Sequence, residues 1–470
     1  YATAGYAGMK WWFMPWRGFG RGFDDYSVPE GDRDVFETAR LGLAFLDAHA
    51  GKKAFLFLHT YDLHSHANGA LPYGTGDPAY SRFSKALGAA PAFTRDGAKL
   101  KGPTAFLGAA NRGGVAITPE ENRYMQALYD DGLTRVDAGL GAFLGELRKR
   151  GLYDRALIVV TADHGEAFGE HGRYMHGDIY EANVHVPLIV HFPGGAHGGE
   201  RLKGMARLLD LAPTLLEAAQ ATPKAPLDGS SLAPMLAARA AGADTVFLKR
   251  GNWRGLRMPQ WKLIEDRAAG QQQFFRVGDD ATEQRDLAPQ GPPEFTALTT
   301  ATRAFFAPPE GGWHIALHAG DAPWKGTFRL FSEGRLAAVA LENGFFEERN
   351  DEVSEARDLE GTLTLKAGAD DVLHVLALDP KAKVHLVLNS ESPASVEIAG
   401  RQESAGLHHE LELDPAAAES TPGASRETST AVVKIWYVPV AQSATAAPGL
   451  GQDAQDQLES LGYLPKHKSP

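Results

Sequence analysis

The run ALIVVTADHGEAFGEHGRYMHG, residues 156–177, joins a strand pattern to a polar, glycine-rich continuation. Its first part is continuously apolar and rich in β-branched residues, as in a buried strand of a parallel sheet. The apolar run ends in the polar residues Thr161 to His164. In an open α/β sheet, ligands bind outside the carboxyl ends of the strands, so Asp163 and His164 lie where a site is expected.

Several side chains of this run can carry chemistry. Asp163 and His164 can offer a carboxylate oxygen and an imidazole nitrogen to a divalent cation, although a helix cap beside a solvated histidine is the alternative. His171 and His176 follow on a segment with four glycines, which lets the backbone fold back over the strand end. We interpret His171 as structural and His176 as functional, because an imidazole beside an anionic ester can donate a hydrogen bond or protonate the leaving oxygen.

A second strand pattern ends in a similar polar group. AFLFLHTYD, residues 54–62, predicts a short buried strand, and the sequence continues to His64. His59 and His64 therefore lie at another carboxyl end, which could face the same crevice. We expect His64 to contact substrate, whereas His59 could as easily support a neighbouring group.

Helix and strand patterns alternate through the first half of the chain. Apolar residues recur at helical spacing over residues 35–49, 119–150 and 208–219, and residues 186–194 predict another buried strand. Residues 67–119 read as a long connection. This alternation predicts an α/β fold with a mainly parallel sheet flanked by helices.

The pattern of predicted secondary structure changes after residue 222. A turn at Met258-Pro259-Gln260 predicts a hairpin, and later short alternating runs predict a sandwich-like β domain. Four regions are predicted: an α/β catalytic domain at 1–222, a small antiparallel subdomain at 223–308, an appended β-rich domain at 309–440, and a linker with a terminal segment at 441–470.

Composition excludes several classes of function. The 470 residues are 43% hydrophobic and 23% charged, as in a soluble globular protein. The formal net charge of -12 argues against a general nucleic-acid binder, because no basic surplus neutralises phosphates. There are no cysteines, which excludes disulfides, thiolate zinc sites and a cysteine nucleophile in this sequence. No apolar run approaches the roughly 20 residues that span a bilayer.

The stretch from Thr161 to Gly194 resembles the sulfatase signature, in which a strand ends in Asp plus Asn or His and a Lys or His follows across a glycine-rich loop. Other segments fall in the order of that family: GRGFDDY (20–26), FLFLHTYDLH (55–64), YDDGLTRVD (129–137), LLDLAPTLLE (208–217), LDGSSLAPML (227–236) and WKLIE (261–265). QLESLGYL (457–464) resembles a common bacterial sulfatase terminus. The resemblance covers residues 1 to about 308 and the terminal segment.

The resemblance implies a fold like that of sulfatases and alkaline phosphatase, and the hydrolysis of sulfuric esters. It implies that Asp163 and His164 bind Ca²⁺ or Mg²⁺ and that His64 contacts the sulfate ester. His176 occupies the position of a Lys or His that binds the sulfate and assists the leaving group. The implied partner is a small sulfate ester or a sulfated glycan, in the periplasm or outside the cell.

Sulfatases also use a formylglycine, made from the first residue of a C/S-x-P-x-R motif, and a first strand that ends in an Asp pair completing the metal site. Neither element occurs in this sequence, and the family order places both ahead of GRGFDDY. Asp24 and Asp25 match an ordinary loop of the family and are interpreted as structural. We therefore expect the natural protein to be longer, and the chain as printed to be N-terminally truncated and inactive.

Two other functions compete with a sulfatase. The first is a metal-dependent phosphoesterase or phosphomutase of the same superfamily, since these enzymes also place Asp-His-Gly at a strand end. The second is a non-catalytic module that binds a glycan or protein through the β-rich region. Its aromatic residues could stack on a ligand, but aromatics on alternating strands are more often core: Trp313, Trp324, Trp436 and Tyr437.

Overall fold

The computed structural model describes most of the chain. The described residues are 1–10, 13–15, 18–65, 71–91, 93, 103–223, 227–238, 243–267, 269–306, 311–332, 336–341, 347–349, 358–377, 381–398, 401–416 and 431–438. They form two compact units, the described residues of 1–177 with 182–201, and those of 178–181 with the described residues from 202 to 438. The four domain boundaries expected from the sequence stay predictions, and the terminal segment 441–470 lies outside the described residues.

The first unit contains a small parallel sheet. Its strands are β1 (Ala2–Tyr6), β2 (Asp25–Ser27) and β3 (Ala54–Leu58), in the order β2-β1-β3. Helix α1 (Val35–Ala48) precedes β3 and begins at Asp34, whose side chain accepts a hydrogen bond from Glu37 N. The predicted α/β class is confirmed. Strand β1 was not predicted, because its residues are mostly small rather than β-branched.

Three helices follow β3. They are α2 (Arg82–Ala86), α3 (Pro103–Asn111) and α4 (Pro119–Lys149). A capping box between Thr118 and Glu121 starts α4, and Gly151 follows its end with a φ of 63°, as a C-cap glycine does. The prediction that residues 67–119 form only a connection is wrong for α2 and α3. Phe106 and Leu107 of α3 are buried in an aromatic cluster, a tertiary contact that no periodic pattern announced.

The strand of the opening run pairs differently from the prediction. Strand β4 (Ile158–Thr161) pairs with β7 (Leu188–His191) antiparallel, as a separate two-stranded sheet. The prediction of a parallel arrangement is therefore wrong for this pair, because an apolar run indicates burial but not strand direction. Even the burial is incomplete, since Ile189 is 62% exposed and Phe55 and Phe57 of β3 are about 40% exposed. Between β4 and β7 lie β5 (Ala167–Phe168), β6 (Tyr174–Met175) and α5 (Glu181–Val184).

The second unit begins with a small antiparallel sheet and three helices. Its elements are α6 (Leu211–Ala218), α7 (Ala233–Ala238), β8 (Val246–Arg250), β9 (Trp253–Arg257), β10 (Lys262–Asp266), β11 (Gln271–Phe275) and α8 (Pro293–Phe305). The sheet order is β11-β10-β9-β8, so the predicted hairpin at Met258 is confirmed. Lys262 of the WKLIE segment is fully buried, and its ammonium lies 2.8 Å from carboxylate oxygens of both Glu181 and Glu283. Such pairing is what makes a buried lysine tolerable.

The β-rich region confirms the prediction of short alternating strands. It contains β12 (Gly312–His318), β13 (Trp324–Ser332), β14 (Leu336–Leu341), β15 (Glu347–Arg349), β16 (Asp358–Leu365), β17 (Asp370–Ala377), β18 (Val384–Ile398), β19 (Arg401–Leu413) and β20 (Ala431–Val438). The first part of β18 pairs with β13 and its second part with β20, across a register shift after Asn389. Both parts contribute side chains to one core, and the sandwich-like arrangement stays a prediction. Trp313 and Trp324 are 2% exposed and belong to that core.

Asp210 connects the segments 208–217 and 227–236 by hydrogen bonds. Its carboxylate accepts hydrogen bonds from Arg207 Nη2 at 2.7 Å and from the backbone N–H of Ser230 at 2.9 Å. Gly229 has to be a glycine, since a Cβ there would lie 2.0 Å from the carbonyl oxygen of Leu209. Burial raises the pKa of Asp210, but the hydrogen bonds from Arg207 and Ser230 outweigh it, so the pKa is lowered overall.

The lowered pKa predicts how Asp210 contributes to stability. The carboxylate stabilises the fold above its unfolded pKa of about 3.9, and this contribution is lost as the pH falls through the folded pKa. We expect Asp210→Asn to lower the free energy of unfolding at pH 7 by about 1–3 kcal/mol, and this deficit to shrink below about pH 4. Urea denaturation of wild type and variant across that pH range measures it. Asp228→Asn, at an exposed neighbour, is the control, and a deficit independent of pH would contradict the prediction.

Among the described residues, no helix is both long enough and apolar enough to cross a membrane.

Candidate active site

The glycine-rich loop after β4 turns at Gly165. Its backbone N–H donates to the carbonyl oxygen of Asn183 at 2.8 Å. A Cβ on Gly165 would lie 2.0 Å from the carbonyl oxygen of Ala182, so the backbone of α5 leaves no room for any other residue. This close approach fixes where the chain goes immediately after Asp163 and His164.

The loop then folds back on itself. Gly169, His171 and Gly172 have φ values of 102°, 53° and 69°, and strands β5 and β6 pair antiparallel on either side of them. His171 thus has a left-handed backbone in the turn, in keeping with the structural role expected of it. The hairpin returns the chain to the end of β4 and delivers His176 there, as the glycines predicted.

Three imidazoles meet at this place. The ring centroids of His164 and His176 are 3.9 Å apart, and those of His64 and His176 are 5.1 Å apart. Tyr61 stacks on His64 with centroids 4.3 Å apart. The structure therefore brings together the polar groups that follow β3 and β4, as expected for two strand ends that face one crevice.

Glu166 supports His176 and was not recognised in the sequence. Its side chain is 5% exposed, and its Oε2 lies 2.9 Å from His176 Nδ1. The other oxygen, Oε1, accepts a hydrogen bond from the hydroxyl of Tyr73 at 2.7 Å. Burial and the Glu166 carboxylate raise the pKa of Tyr73 well above its usual range, which keeps the phenol a donor. In the sequence, Glu166 is a carboxylate inside the glycine-rich run, close to two histidines that could pair with it.

The loop after β3 is held by a buried ion pair. The Asp62 carboxylate accepts hydrogen bonds from Thr60 Oγ1 and Arg135 Nη1, and Arg135 Nη2 also lies 2.6 Å from Asp34. Burial raises the pKa of Asp62, while the Arg135 guanidinium opposes that rise. Arg135 belongs to α4, so the long helix fixes the loop that carries His64.

His59 has a supporting place in the same region. Its Nδ1 accepts a hydrogen bond from the backbone N–H of Gly8 at 3.3 Å, and its ring lies 4.3 Å from that of Phe13. Burial lowers the pKa of His59, so a neutral imidazole is favoured.

Asp24 and Asp25 bind residues of β1. Asp24 accepts a hydrogen bond from the Thr3 N–H at 2.9 Å, and Asp25 accepts one from the Tyr6 hydroxyl. These contacts agree with the structural interpretation of both aspartates.

The possible metal ligands form a compact group. One ligand atom each from His164, Glu166 and His176 lies within 4.8 Å of the others. Asp163 is 74% exposed at its side chain, and its Oδ2 lies 3.8 Å from His164 Nε2. The group contains two imidazoles, and Asp163 adds a carboxylate beside it, so these side chains can offer both nitrogen and oxygen to a divalent cation.

Comparison with known families decides the classification. Residues 23–221 match the family model described as Sulfatase, and residues 169–280 match the one described as N-sulphoglucosamine sulphohydrolase, C-terminal. The chain belongs to the sulfatase / alkaline phosphatase superfamily. The matches include the loop that carries Asp163, His164 and His176, and one extends into the antiparallel sheet β8–β11.

The most similar relatives include two kinds of protein. Arylsulfatase K of Mus musculus is 30% identical over 192 residues, which are 37% of this chain and 34% of that protein. The multifunctional alkaline phosphatase superfamily protein PehA of Trinickia caryophylli is 36% identical over 136 residues, 28% of this chain and 26% of that protein. The chain thus spans about a third or less of the length of these curated relatives.

Solved structures with a similar arrangement include BT4656 in complex with its substrate D-glucosamine-2-N,6-O-disulfate. It has a TM-score of 0.49 and 18% identity, over 64% of this chain and 78% of that chain. The phosphonate monoester hydrolase SpPMH from Silicibacter pomeroyi has a TM-score of 0.45 and 24% identity, over 62% and 67%.

The close approach at Gly165 generates a prediction. Gly165→Ala should lower the free energy of unfolding by about 1–3 kcal/mol, because the new methyl group meets backbone atoms that cannot easily move. Gly141→Ala, at an open position of α4, should be neutral or stabilise by up to about 1 kcal/mol. Urea denaturation measures both variants. Equal stabilities of the two would show that the backbone at Gly165 is not constrained in this way.

Proposed function

We propose that this chain contributes to the active site of a sulfuric ester hydrolase. The observation that carries the proposal is the convergence of His64, His164 and His176 beside Asp163, within the segment that matches the sulfatase family. The similarity to arylsulfatase K supports the same reaction class. Three imidazoles can share the binding of one anionic group by donating hydrogen bonds to it.

Each side chain has a role in the proposal. His64 and His176 contact the sulfate group, and His176 also protonates the leaving oxygen. Glu166 holds Nδ1 of His176, so Nε2 is the nitrogen left for the ester. Tyr61 stacks on His64 and limits its rotation.

Two groups that the printed sequence does not itself supply complete the proposed site. Asp163 and His164 would help to hold a divalent cation, expected from the resemblance to be Ca²⁺ or Mg²⁺, which supplies positive charge beside the ester oxygens. The proposed nucleophile is a formylglycine of the full-length protein, and the C/S-x-P-x-R motif that gives rise to it does not occur in the printed sequence.

The proposed substrate is a small sulfate ester or a sulfated glycan. The match of residues 169–280 to the C-terminal model of N-sulphoglucosamine sulphohydrolase supports a sulfated sugar.

A phosphoesterase of the same superfamily is the second candidate. The 36% identity to PehA, whose name records several activities, favours it. A non-catalytic module that stacks a ligand on Trp313 and Trp324 has less support, because both indoles are core residues.

An activity assay tests the proposal. The complete open reading frame that encodes this sequence is expressed with a formylglycine-generating enzyme and assayed with 4-nitrophenyl sulfate, phosphate and phenylphosphonate. We expect the largest kcat/KM for the sulfate. His176→Ala should lower kcat/KM for the sulfate by about 10²–10⁴-fold, because it removes the proposed general acid.

His318→Ala is the matched control, since His318 also pairs with a carboxylate, Asp370 at 2.7 Å, but lies on β12. It should leave kcat/KM unchanged. A larger kcat/KM for phosphate or phosphonate than for sulfate would support the phosphoesterase instead. Activity that survives His176→Ala would contradict the role given to His176.

A further inference from the structure

We propose that Tyr73 is a positioning residue for His176 and acts on it through the carboxylate of Glu166. The inference rests on the proposed function, because it concerns the placement of the proton that His176 gives to the leaving oxygen. It assigns a role in the reaction to a buried phenol from the stretch between β3 and α2.

Ring contacts alone do not determine how the His176 imidazole is turned. The ring of His164 lies 3.9 Å away at an interplanar angle of 23°, and the ring of His64 lies 5.1 Å away. These contacts set the plane of the imidazole, but its second torsion is broad and a half-turn leaves the ring shape almost unchanged. The hydrogen bond of 2.9 Å between Nδ1 and Glu166 therefore decides which nitrogen faces the ester.

The Glu166 carboxylate has a similar freedom unless both of its oxygens are held. The terminal torsion of a glutamate is broad, so one hydrogen bond alone would let the group turn. Oε1 accepts a hydrogen bond from the Tyr73 hydroxyl at 2.7 Å, and Oε2 is the oxygen that faces His176. The phenol thus holds the carboxylate in the orientation that presents Oε2 to Nδ1.

Burial and an uncommon backbone conformation fix Tyr73 itself. It is 1% exposed, and its ring lies 5.8 Å from that of Tyr129 and 5.2 Å from that of Phe168. Its φ is 63°, a left-handed conformation that is rare for a bulky residue and persists only where the surroundings determine it. Met175, the neighbour of His176, has the same φ. Strained backbone therefore occurs at both ends of this chain of hydrogen bonds, and such strain is concentrated at active sites.

A purely structural role for the same phenol predicts a different result. Buried carboxylates are commonly satisfied by a hydrogen-bond donor, whether or not they take part in a reaction. If Tyr73 only stabilises the fold, its loss should affect the hydrolysis of every ester equally. If it positions a proton donor, its loss should matter most for esters whose leaving oxygen needs a proton.

Tyr73→Phe removes the hydroxyl and keeps the ring. In the complete protein, expressed with a formylglycine-generating enzyme, it should lower kcat/KM for phenyl sulfate by about 10–100-fold, because a misplacement of about 1 Å can cost 10²-fold. The loss for 4-nitrophenyl sulfate should be smaller, since its less basic leaving oxygen depends less on an acid. Equal losses for the two esters, or no loss for either, would overturn the positioning role.

Tyr129→Phe is the matched control. The Tyr129 ring packs against Tyr73 and Phe168, but among the described residues Glu166 is bonded by Tyr73 and His176 and not by Tyr129. Loss of this second hydroxyl should leave kcat/KM unchanged for both esters.

A double variant tests whether Tyr73 acts through Glu166. Glu166→Leu removes both acceptor oxygens and should itself lower kcat/KM for phenyl sulfate. In that background Tyr73→Phe should cause no further loss, because residues of one hydrogen-bond network are not additive. Losses that multiply would show that the phenol acts independently of Glu166 and would refute the proposal.

Nuclear magnetic resonance of the protein labelled with ¹⁵N-histidine tests the orientation without turnover. A carboxylate oxygen only accepts hydrogen bonds, so the neutral ring of His176 should have its proton on Nδ1 in wild type and in Tyr129→Phe. Tyr73→Phe and Glu166→Leu, each checked for folding by circular dichroism, should give a mixture with the Nε2–H tautomer. His176→Gln identifies the signal. Retention of the wild-type tautomer in either folded variant would contradict the proposal.

The outcomes separate this inference from the proposed function. If the complete protein hydrolyses no sulfate ester, the proposed function fails, and the tautomer of His176 still decides whether Tyr73 orients the ring. If the protein is active and the folded Tyr73→Phe variant keeps the wild-type tautomer and kcat/KM, the positioning role is refuted and the proposed function stands.

Discussion

The close approach between Gly165 and the backbone of residues 182–183 is the constraint on which the site depends. A hydrogen bond from Gly165 N to the Asn183 carbonyl joins the strand end to α5, at a separation that excludes a side chain. Asp163 and His164 stand immediately before this contact, so their positions are fixed by a backbone interaction. A loop that begins from a rigid point can return to it reproducibly.

The return is made by left-handed backbone and secured by a buried carboxylate. Positive φ values at Gly169, His171 and Gly172 reverse the chain. One oxygen of Glu166 then forms a hydrogen bond with His176 Nδ1, and the other accepts a hydrogen bond from the Tyr73 hydroxyl. The Tyr73 ring that donates to this carboxylate packs against Tyr129 and Phe168, and the Glu166 side chain is 5% exposed. Because a charge-assisted hydrogen bond is stronger where water is scarce, burial increases the hold of Glu166 on His176.

A different device fixes the second loop of the site. Arg135 reaches from α4 to Asp62 and Asp34, so one guanidinium ties the loop before His64 to the start of α1. An ion pair this deeply buried has little net effect on stability while intact, but loss of one partner would leave a charge without compensation. Arg135 lies in the YDDGLTRVD segment, which resembles a sulfatase segment, so this contact gives that segment a structural role.

The sequence by itself determined the elements and the composition of the site. Periodicity placed α1, α4, β3 and β4, because helical and strand patterns are local. The polar residues after two strands placed Asp163, His164 and His64 at strand ends, and the glycine-rich run predicted the return that brings His176 back to one of them. Only the tertiary structure decided that β4 pairs antiparallel with β7, that the histidine rings meet, and that Glu166 orients His176. Strand direction and the partner of a buried carboxylate depend on residues far apart in the chain, and no local pattern records them.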